Sequence, residues 1–285
     1  FGYAILNYDN SIPQGILKDL DKHNLLVMED SADTLGAKIG NKSSGIYSDI
    51  SITSFYGSHI ISCAGNGGML LTNNKYFFNK AKVLRSWGRM STQTTGTTIK
   101  TQIKDSEDIN KRLNIKLDGF DYDKKFVFSE VGYNFEPSEI GASFGLVQLK
   151  KFKSFSKLRN KNFRYHSAFF SKYKNYFILP KIDKNVRTNF LAYPIIIKEN
   201  KSFNKKNLQI FLEKKNIQTR PIFSGNILRH PAFKNLNSRQ NKLNSFKNSD
   251  YIMKNGLLIG CHQGLKAADI NYIHNCIKKF INIYG

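Results

Sequence analysis

The sequence predicts an α/β fold, and two observations carry the prediction. Strand-length apolar runs alternate with helix-period patterns along the whole chain. One of those runs, Leu25 to Met28, is continuously apolar and ends in Glu29-Asp30, the pattern of a buried parallel strand whose carboxyl end carries a carboxylate to the top of a sheet. In open α/β sheets that edge is where ligands bind.

The elements follow in order. Ser11-Ile12-Pro13 reads as a helix start, with Ile16, Leu17 and Leu20 on one face, and predicts a short helix to about His23. The strand ending at Asp30 comes next. Asp49 to Phe55 predicts a second strand, followed by Gly57-Ser58-His59, then Gly65-Asn66-Gly67-Gly68 and a strand over Met69 to Thr72. From Asn74 a helix is expected, because Phe77, Phe78, Ala81, Leu84 and Trp87 recur at three- and four-residue steps before Gly88 stops it. Met90 to Asp123 is polar and poorly periodic and reads as a long surface insertion. Glu136-Pro137-Ser138-Glu139 opens a helical pattern that continues, with interruptions, to about Tyr173 and carries the chain into a second unit. There, Asn189 to Ile197 resembles a strand, Asn204 to Lys215 a helix and Ile217 to Phe223 an extended segment. Ile270, Ile273, Ile277 and Phe280 line one face of a last helix. The reading is a mostly parallel sheet flanked by helices over residues 1–150, with the insertion at about 90–125, and a smaller α+β domain over 151–285.

Composition narrows the class. A length of 285 residues, with 40% apolar and 13% aromatic residues, suffices for a packed core and excludes a disordered chain, despite a mean hydropathy of −0.42. Six prolines and 20 glycines without a period exclude a collagen-like chain. The three thiols, Cys63, Cys261 and Cys276, are odd in number and scattered, which fits a reducing, cytoplasmic setting rather than a disulfide framework. No stretch approaches the ~20 apolar residues of a membrane span. Phe1 to Asn10 lacks the pattern of a secretory signal, and the missing initiator Met predicts a fragment. The formal charge is +23 and the isoelectric point about 9.8. Lysines occur singly or in pairs, as in Lys150, Lys151, Lys153, Lys157, Arg159, Lys161 and Arg164, without a nucleic-acid motif. The expectation is solvated faces, with neither nucleic acid nor membrane as partner.

Chemistry concentrates in Glu29-Asp30-Ser31-Ala32-Asp33-Thr34-Leu35-Gly36, in Thr53-Ser54-Phe55-Tyr56-Gly57-Ser58-His59 and in Ala64-Gly65-Asn66-Gly67-Gly68. Each alone is weak: an Asp at a strand end also serves as a cap or ion-pair partner, and a lone His also packs in a core. In their order and spacing, together with Gly132-Tyr133-Asn134, Thr219-Arg220-Pro221 and Gly225-Asn226-Ile227, they resemble the DegT-like sugar aminotransferases, pyridoxal-phosphate enzymes of fold type I, across essentially the whole chain. Members have a longer amino-terminal part than this chain begins with. The resemblance implies an aspartate-aminotransferase-like fold and a homodimer with shared active sites.

It also implies roles. Asp30 would pair with the pyridine nitrogen and keep it protonated, so that the ring accepts electrons. Ser54 would hydrogen-bond the cofactor phosphate, Asp33 and Ser58 would stand with the cofactor, and Asn134 would reach the phosphate in the neighbouring subunit. Where the aminotransferases place the lysine that bonds covalently to the cofactor, this sequence has Ser58-His59. Histidine cannot make that bond but titrates near neutrality, so the implied cofactor is noncovalent and works as pyridoxamine phosphate, with His59 as acid and base. The same replacement marks the sugar 3-dehydratase branch, whose members act on GDP-4-keto-6-deoxymannose or CDP-4-keto-6-deoxyglucose and remove the 3-hydroxyl in 3,6-dideoxysugar and O-antigen lipopolysaccharide synthesis. Arg220, Asn226 and Arg229 would hold the nucleotide-linked sugar or its diphosphate.

The CDP-sugar type carries a two-iron, two-sulfur cluster on cysteines that closely follow a Trp-Gly-Arg segment. Here Trp87-Gly88-Arg89 is followed by Met90-Ser91-Thr92-Gln93, so no cluster and no metal is expected, and L-glutamate would regenerate the amine form of the cofactor. Two alternatives stay open: a nucleotide-sugar aminotransferase, which needs a lysine near position 59, and a 3-dehydrase that needs an external reductase.

Overall fold

The computed structural model describes residues 3–7, 22–90, 109–199, 202–234 and 246–285. The helix expected from Ser11 lies almost wholly outside these residues, as does the first half of the expected insertion. The chain divides into two compact units, Phe1–Leu149 and Lys150–Gly285.

The first unit is built on a four-stranded sheet in the order β1 (Tyr3–Asn7), β2 (Leu26–Asp30), β3 (Ile50–Ser54) and β4 (Gly68–Leu71). β1, β2 and β3 are parallel, and β4 returns antiparallel to β3. Val27 and Glu29 of β2 are buried while Leu26, Met28 and Asp30 are exposed, so the strand shows the two-residue period of a sheet covered differently on its two faces. Helix α1 (Lys75–Arg85) follows. Its N-cap is Asn74, whose side chain accepts from the backbone N–H groups of Tyr76 and Phe77. The expected insertion is not featureless: among its described residues are a helical turn, Ile109–Leu113, and a hairpin of Ile115–Leu117 with Phe120–Tyr122. Short elements of this kind leave too few residues for a detectable period.

Helix α2 (Glu139–Phe170) runs 32 residues without the interruptions expected from its pattern, and the division between the units falls within it. In the first unit Gly145 lets it approach the loop after β3: a Cβ at this position would lie 2.5 Å from Cys63 Sγ.

The second unit is an antiparallel sheet in the order β7 (Thr219–Pro221), β8 (Gly256–Gly260), β6 (Ala192–Ile197) and β5 (Phe177–Ile178), with helices α3 (Lys205–Glu213), α4 (Lys247–Asn255) and α5 (Ala267–Tyr284). On β6, Tyr193, Ile195 and Ile197 point into the core, where they meet Phe163 and Phe170 of α2 and Ile277 and Phe280 of α5. The central strand β8 and helix α4 are absent from the sequence reading. Gly-Leu-Leu-Ile-Gly shows no alternation because, in the middle of the sheet, most of it is buried.

A histidine pair is sealed in this core. His166 Nδ1 and His274 Nε2 are 3.0 Å apart, His166 Nε2 faces the Gly260 carbonyl at 3.0 Å, and Phe169 stacks on His274 at 4.0 Å. Burial pushes His166 down to about 4, and burial with the neighbouring His166 pushes His274 down to about 3. Both folded values lie below the ordinary 6.5, so between about pH 6.5 and pH 4 the unfolded chain binds more protons and stability falls as pH falls. Urea unfolding followed by circular dichroism is expected to show a loss of roughly 2–4 kcal/mol between pH 7 and pH 5. His274→Gln should flatten that dependence, and an unchanged slope would contradict the assignment to this pair.

Candidate active site

The parallel register places Asp30 opposite Ile52, so Asp30 and Ser54, the last residues of β2 and β3, share the carboxyl edge of the sheet. A single buried carboxylate shapes that edge. Glu29, only 1% exposed, accepts the Gly45 backbone N–H on both oxygens, at 2.8 and 2.7 Å, and the Ser31 hydroxyl. These bonds tie the loop after β2 back under the strand end. Asp49 closes the same loop by accepting from the Val27 N–H at 2.8 Å. Asp30 points to the opposite face, exposed, with Oδ1 held by the Ala32 N–H at 3.0 Å.

His59 stands on the loop between β3 and β4. That loop folds onto itself: Phe55 N–H donates to Gly67 O at 2.9 Å, Gly57 N–H to Gly65 O at 2.8 Å, and Cys63 N–H to Phe55 O at 3.0 Å. His59 N–H closes a turn onto Tyr56 O at 2.9 Å, and the Tyr56 ring meets the imidazole edge-on at 6.0 Å. His59 Nε2 is 3.4 Å from Asp33 Oδ1, with the His side chain 16% exposed and the Asp 49%. Ser58, beside it, is exposed. The Ser54 hydroxyl accepts from Tyr56 N–H at 3.2 Å, which leaves its own proton for an anionic acceptor.

Asn134 is positioned from further along the chain. Trp87, at φ +59°, and Gly88, at φ +83°, cross the backbone of 130–132 so closely that a Cβ on Gly88 would land on the Glu130 carbonyl. Backbone bonds lock the crossing: Trp87 N–H to Tyr133 O at 2.8 Å, Tyr133 N–H to Leu84 O at 2.7 Å, and Phe135 N–H to Arg85 O at 2.9 Å. The Arg89 guanidinium covers the Trp87 ring at 4.6 Å. Asn134 bridges to Ser86 and is exposed between Tyr133 and Phe135, whose rings stack at 5.1 Å.

In the second unit, Arg220 is exposed on β7, opposite Leu258. Asn226 is buried, its amide donating to Asp250 Oδ1 at 2.8 Å and its carbonyl accepting from Leu228 N–H at 3.1 Å. Arg229 grips the same carboxylate through Nε and Nη2, the latter at 2.6 Å from Oδ2. Arg229, with Asn226, holds the Asp250 carboxyl down at about 2. The sequence pointed to neither Glu29 nor Asp250 as an organiser. Glu29 ends a continuously apolar run that does not show which face is buried, and Asp250 lies 21 residues beyond Arg229 with no local cue.

The donors fit a planar, phosphorylated cofactor. An exposed strand-end carboxylate suits a pyridinium, the Ser54 hydroxyl suits a phosphate, and position 59 offers an imidazole rather than an amine. No metal-holding group of His, Cys, Asp and Glu occurs among the described residues.

A model of the DegT/DnrJ/EryC1/StrS aminotransferase family matches residues 14–278. The lipopolysaccharide biosynthesis protein RfbH of Salmonella typhimurium is 30% identical over 93% of this chain and 58% of its own length. The dTDP-4-dehydro-2,6-dideoxy-D-glucose 3-dehydratase of Saccharopolyspora spinosa is 30% identical over 91% of this chain and 54% of its own. The chain thus spans little more than half the length of these relatives. A solved structure of Escherichia coli GDP-4-keto-6-deoxy-D-mannose-3-dehydratase with bound hydrated PLP superposes with a TM-score of 0.72 at 24% identity, covering 96% of this chain and 66% of that one.

The backbone crossing generates a test. Gly88→Ala and Gly132→Ala are each expected to cost more than about 2 kcal/mol, since backbone must move. Gly119→Ala, at φ +88° with nothing near its Cβ, should cost only about 1 kcal/mol. Equal losses at Gly88 and Gly119 in denaturant melts would mean that φ strain, not the crossing, is what Gly88 relieves.

Proposed function

The chain belongs to the DegT/DnrJ/EryC1/StrS aminotransferase family, and from that premise we propose that it removes the 3-hydroxyl of a nucleotide-linked 4-keto-6-deoxyhexose, with noncovalent pyridoxamine phosphate and L-glutamate. The observation that carries this reading is the imidazole of His59 at the lysine position, with Asp33 3.4 Å from its Nε2. Relatives named as sugar 3-dehydratases support the reaction class, and RfbH supports a place in lipopolysaccharide synthesis.

When bound, the cofactor supplies an amine that condenses with the 4-keto group and a ring that accepts electrons. Asp30 holds the proton on the pyridine nitrogen, and the Ala32 N–H fixes that carboxylate's direction. Ser54 donates to the phosphate, with Ser58 beside it, and Asn134 serves the phosphate of the neighbouring subunit in a homodimer. His59 would be the acid and base, taking a proton at the cofactor methylene and returning it to the hydroxyl at sugar carbon 3, so that one imidazole would serve one face. Asp33 is a positioning residue, holding the ring while its proton comes and goes. Arg220 and Arg229 are the substrate-binding residues of the second unit, and Asn226, expected to join them, is buried and acts through Asp250, which its amide holds. Asp250 occupies the Nε–Nη2 edge of Arg229 and leaves the Nη1 donors for a diphosphate oxygen. On this reading the products would be a 3-deoxy ketone and ammonia, with L-glutamate as the donor that would return the cofactor to its amine form.

Return of the cofactor without an iron–sulfur cluster is supported by the sequence, which has no Cys between Cys63 and Cys261 and so no group of closely placed thiols after Trp87-Gly88-Arg89. A cytoplasmic setting is part of this reading, supported by the odd, scattered thiols of the sequence.

The test incubates the full-length protein with pyridoxal phosphate, L-glutamate and candidate 4-keto-6-deoxyhexose nucleotides, and reads the product by mass spectrometry. Replacement of a hydroxyl by hydrogen, with ammonia and 2-oxoglutarate released, is expected. A product carrying a new amine would make the protein an aminotransferase, and turnover only with an added reductase would select the reductase-dependent route. His59→Asn should lower kcat by roughly 10²–10⁴-fold. Asp33→Asn should lower kcat with KM unchanged, and a change confined to KM would remove Asp33 from its positioning role.

A further inference from the structure

The net charge of this protein is not spread over it. Residues 1–149 hold 16 Lys and Arg against 16 Asp and Glu, whereas residues 150–285 hold 28 against 5, so the whole +23 belongs to the second unit. Each of those five carboxylates is already engaged. Glu199 pairs with Lys254 at 2.8 Å, and Asp250 is held by Arg229 and Asn226. Glu213 accepts the N–H and hydroxyl of Thr219, Asp269 accepts Lys266 N–H, and Asp183 accepts Asn185 N–H. Among the described residues only two ion pairs therefore offset the cations of this unit. Self-repulsion on that scale costs stability, and a polyanion relieves it.

The excess is organised on α2. Lys150, Lys153, Lys157, Lys161 and Arg164 are all exposed and, at ~100° per residue, fall within about 80° of the helix circumference, forming a straight row about 21 Å long. No Asp or Glu occurs between Glu139 and Asp183, so nothing on this helix interrupts the row. Leu158 and Tyr165, 38% and 41% exposed, lie along one flank of it.

We propose that this face of the second unit docks on an anionic lipid surface, with the five-cation row over the headgroups and Leu158 and Tyr165 at the interface. The same face of a second copy is a poor occupant, because it would bring the same charge to the contact, and the first unit, with 16 cations against 16 anions, has no net negative charge to offer it. Base-reading elements use arginine forks and side-chain amides directed into a groove, while this unit carries 22 lysines to 6 arginines and its helical row is lysine but for one end. Lysines are point charges that suit mobile headgroups, and a cationic row edged by apolar side chains is the pattern of a helix lying on an interface. The absence of a spanning helix among the described residues is consistent with docking on the surface. The sequence-level expectation of no membrane partner took the lysines over the whole chain, and it is the partition by unit that changes the reading.

The test is co-sedimentation of the full-length protein with vesicles of phosphatidylcholine alone or with about 30 mol % phosphatidylglycerol, at about 0.15 M salt. Preferential binding to the anionic vesicles is expected. The triple variant K153Q/K157Q/K161Q should bind them about 100-fold more weakly, at roughly fivefold per lysine, with thermal unfolding unchanged or raised and turnover unchanged. Equal binding to both vesicle types, or no loss in the variant, would overturn the proposal. Tighter, salt-sensitive binding to a random DNA duplex than to the anionic vesicles, lost in the same variant, would overturn it in favour of nucleic acid.

Discussion

The buried Glu29 carboxylate is the constraint on which the candidate site rests. A charge taken out of water is tolerated only when its lone pairs are met, and here one backbone N–H contacts both oxygens while a serine hydroxyl caps one of them. The loop between β2 and β3 is fixed as a result. Because strand residues alternate, burying Glu29 also turns Asp30 outward at the sheet edge. The same loop carries Asp33, whose distance from His59 is set by how that loop is tied down. A structural carboxylate and a chemical one are thus adjacent in sequence and opposite in role.

How much was legible in the sequence follows from the range of the interactions involved. The strand ending at Asp30, the strand ending at Ser54 and the helix opening at Asn74 were readable because apolar period and capping are local signals. Replacement of a lysine by His59 was visible as well, since it needs only one position in a recognisable motif. The clamp at Gly88 and Gly132 was not, because it joins segments some 40 residues apart through backbone atoms that any residue possesses. The partnership of His166 with His274 spans 108 residues and has no sequence signature at all. Strand β8 failed for a different reason: five residues bounded by glycines and buried in mid-sheet carry no period to detect.

The two units solve unlike problems. The first is charge-balanced and spends its carboxylates on loops and on the sheet edge, leaving apolar side chains such as Val131, Tyr133, Phe135 and Ile140 on its surface. The second packs a dense aromatic core around β6 and spends its few carboxylates on caps and pairs, so lysine dominates its outside. The chemistry proposed for the first unit makes no demand on that surplus charge, which is why the surplus calls for an explanation of its own.

The crossing at Trp87 gives the protein a built-in optical probe. It is the only tryptophan in the sequence, it sits in a left-handed turn bonded directly to the segment that presents Asn134, and a guanidinium lies over its ring. Indole emission is sensitive to nearby charge and to solvent, so the fluorescence of the unlabelled protein reports on this one junction rather than on an average over many. Spectral changes on adding ligand then read the state of the segment that carries Asn134, without a reporter having to be introduced.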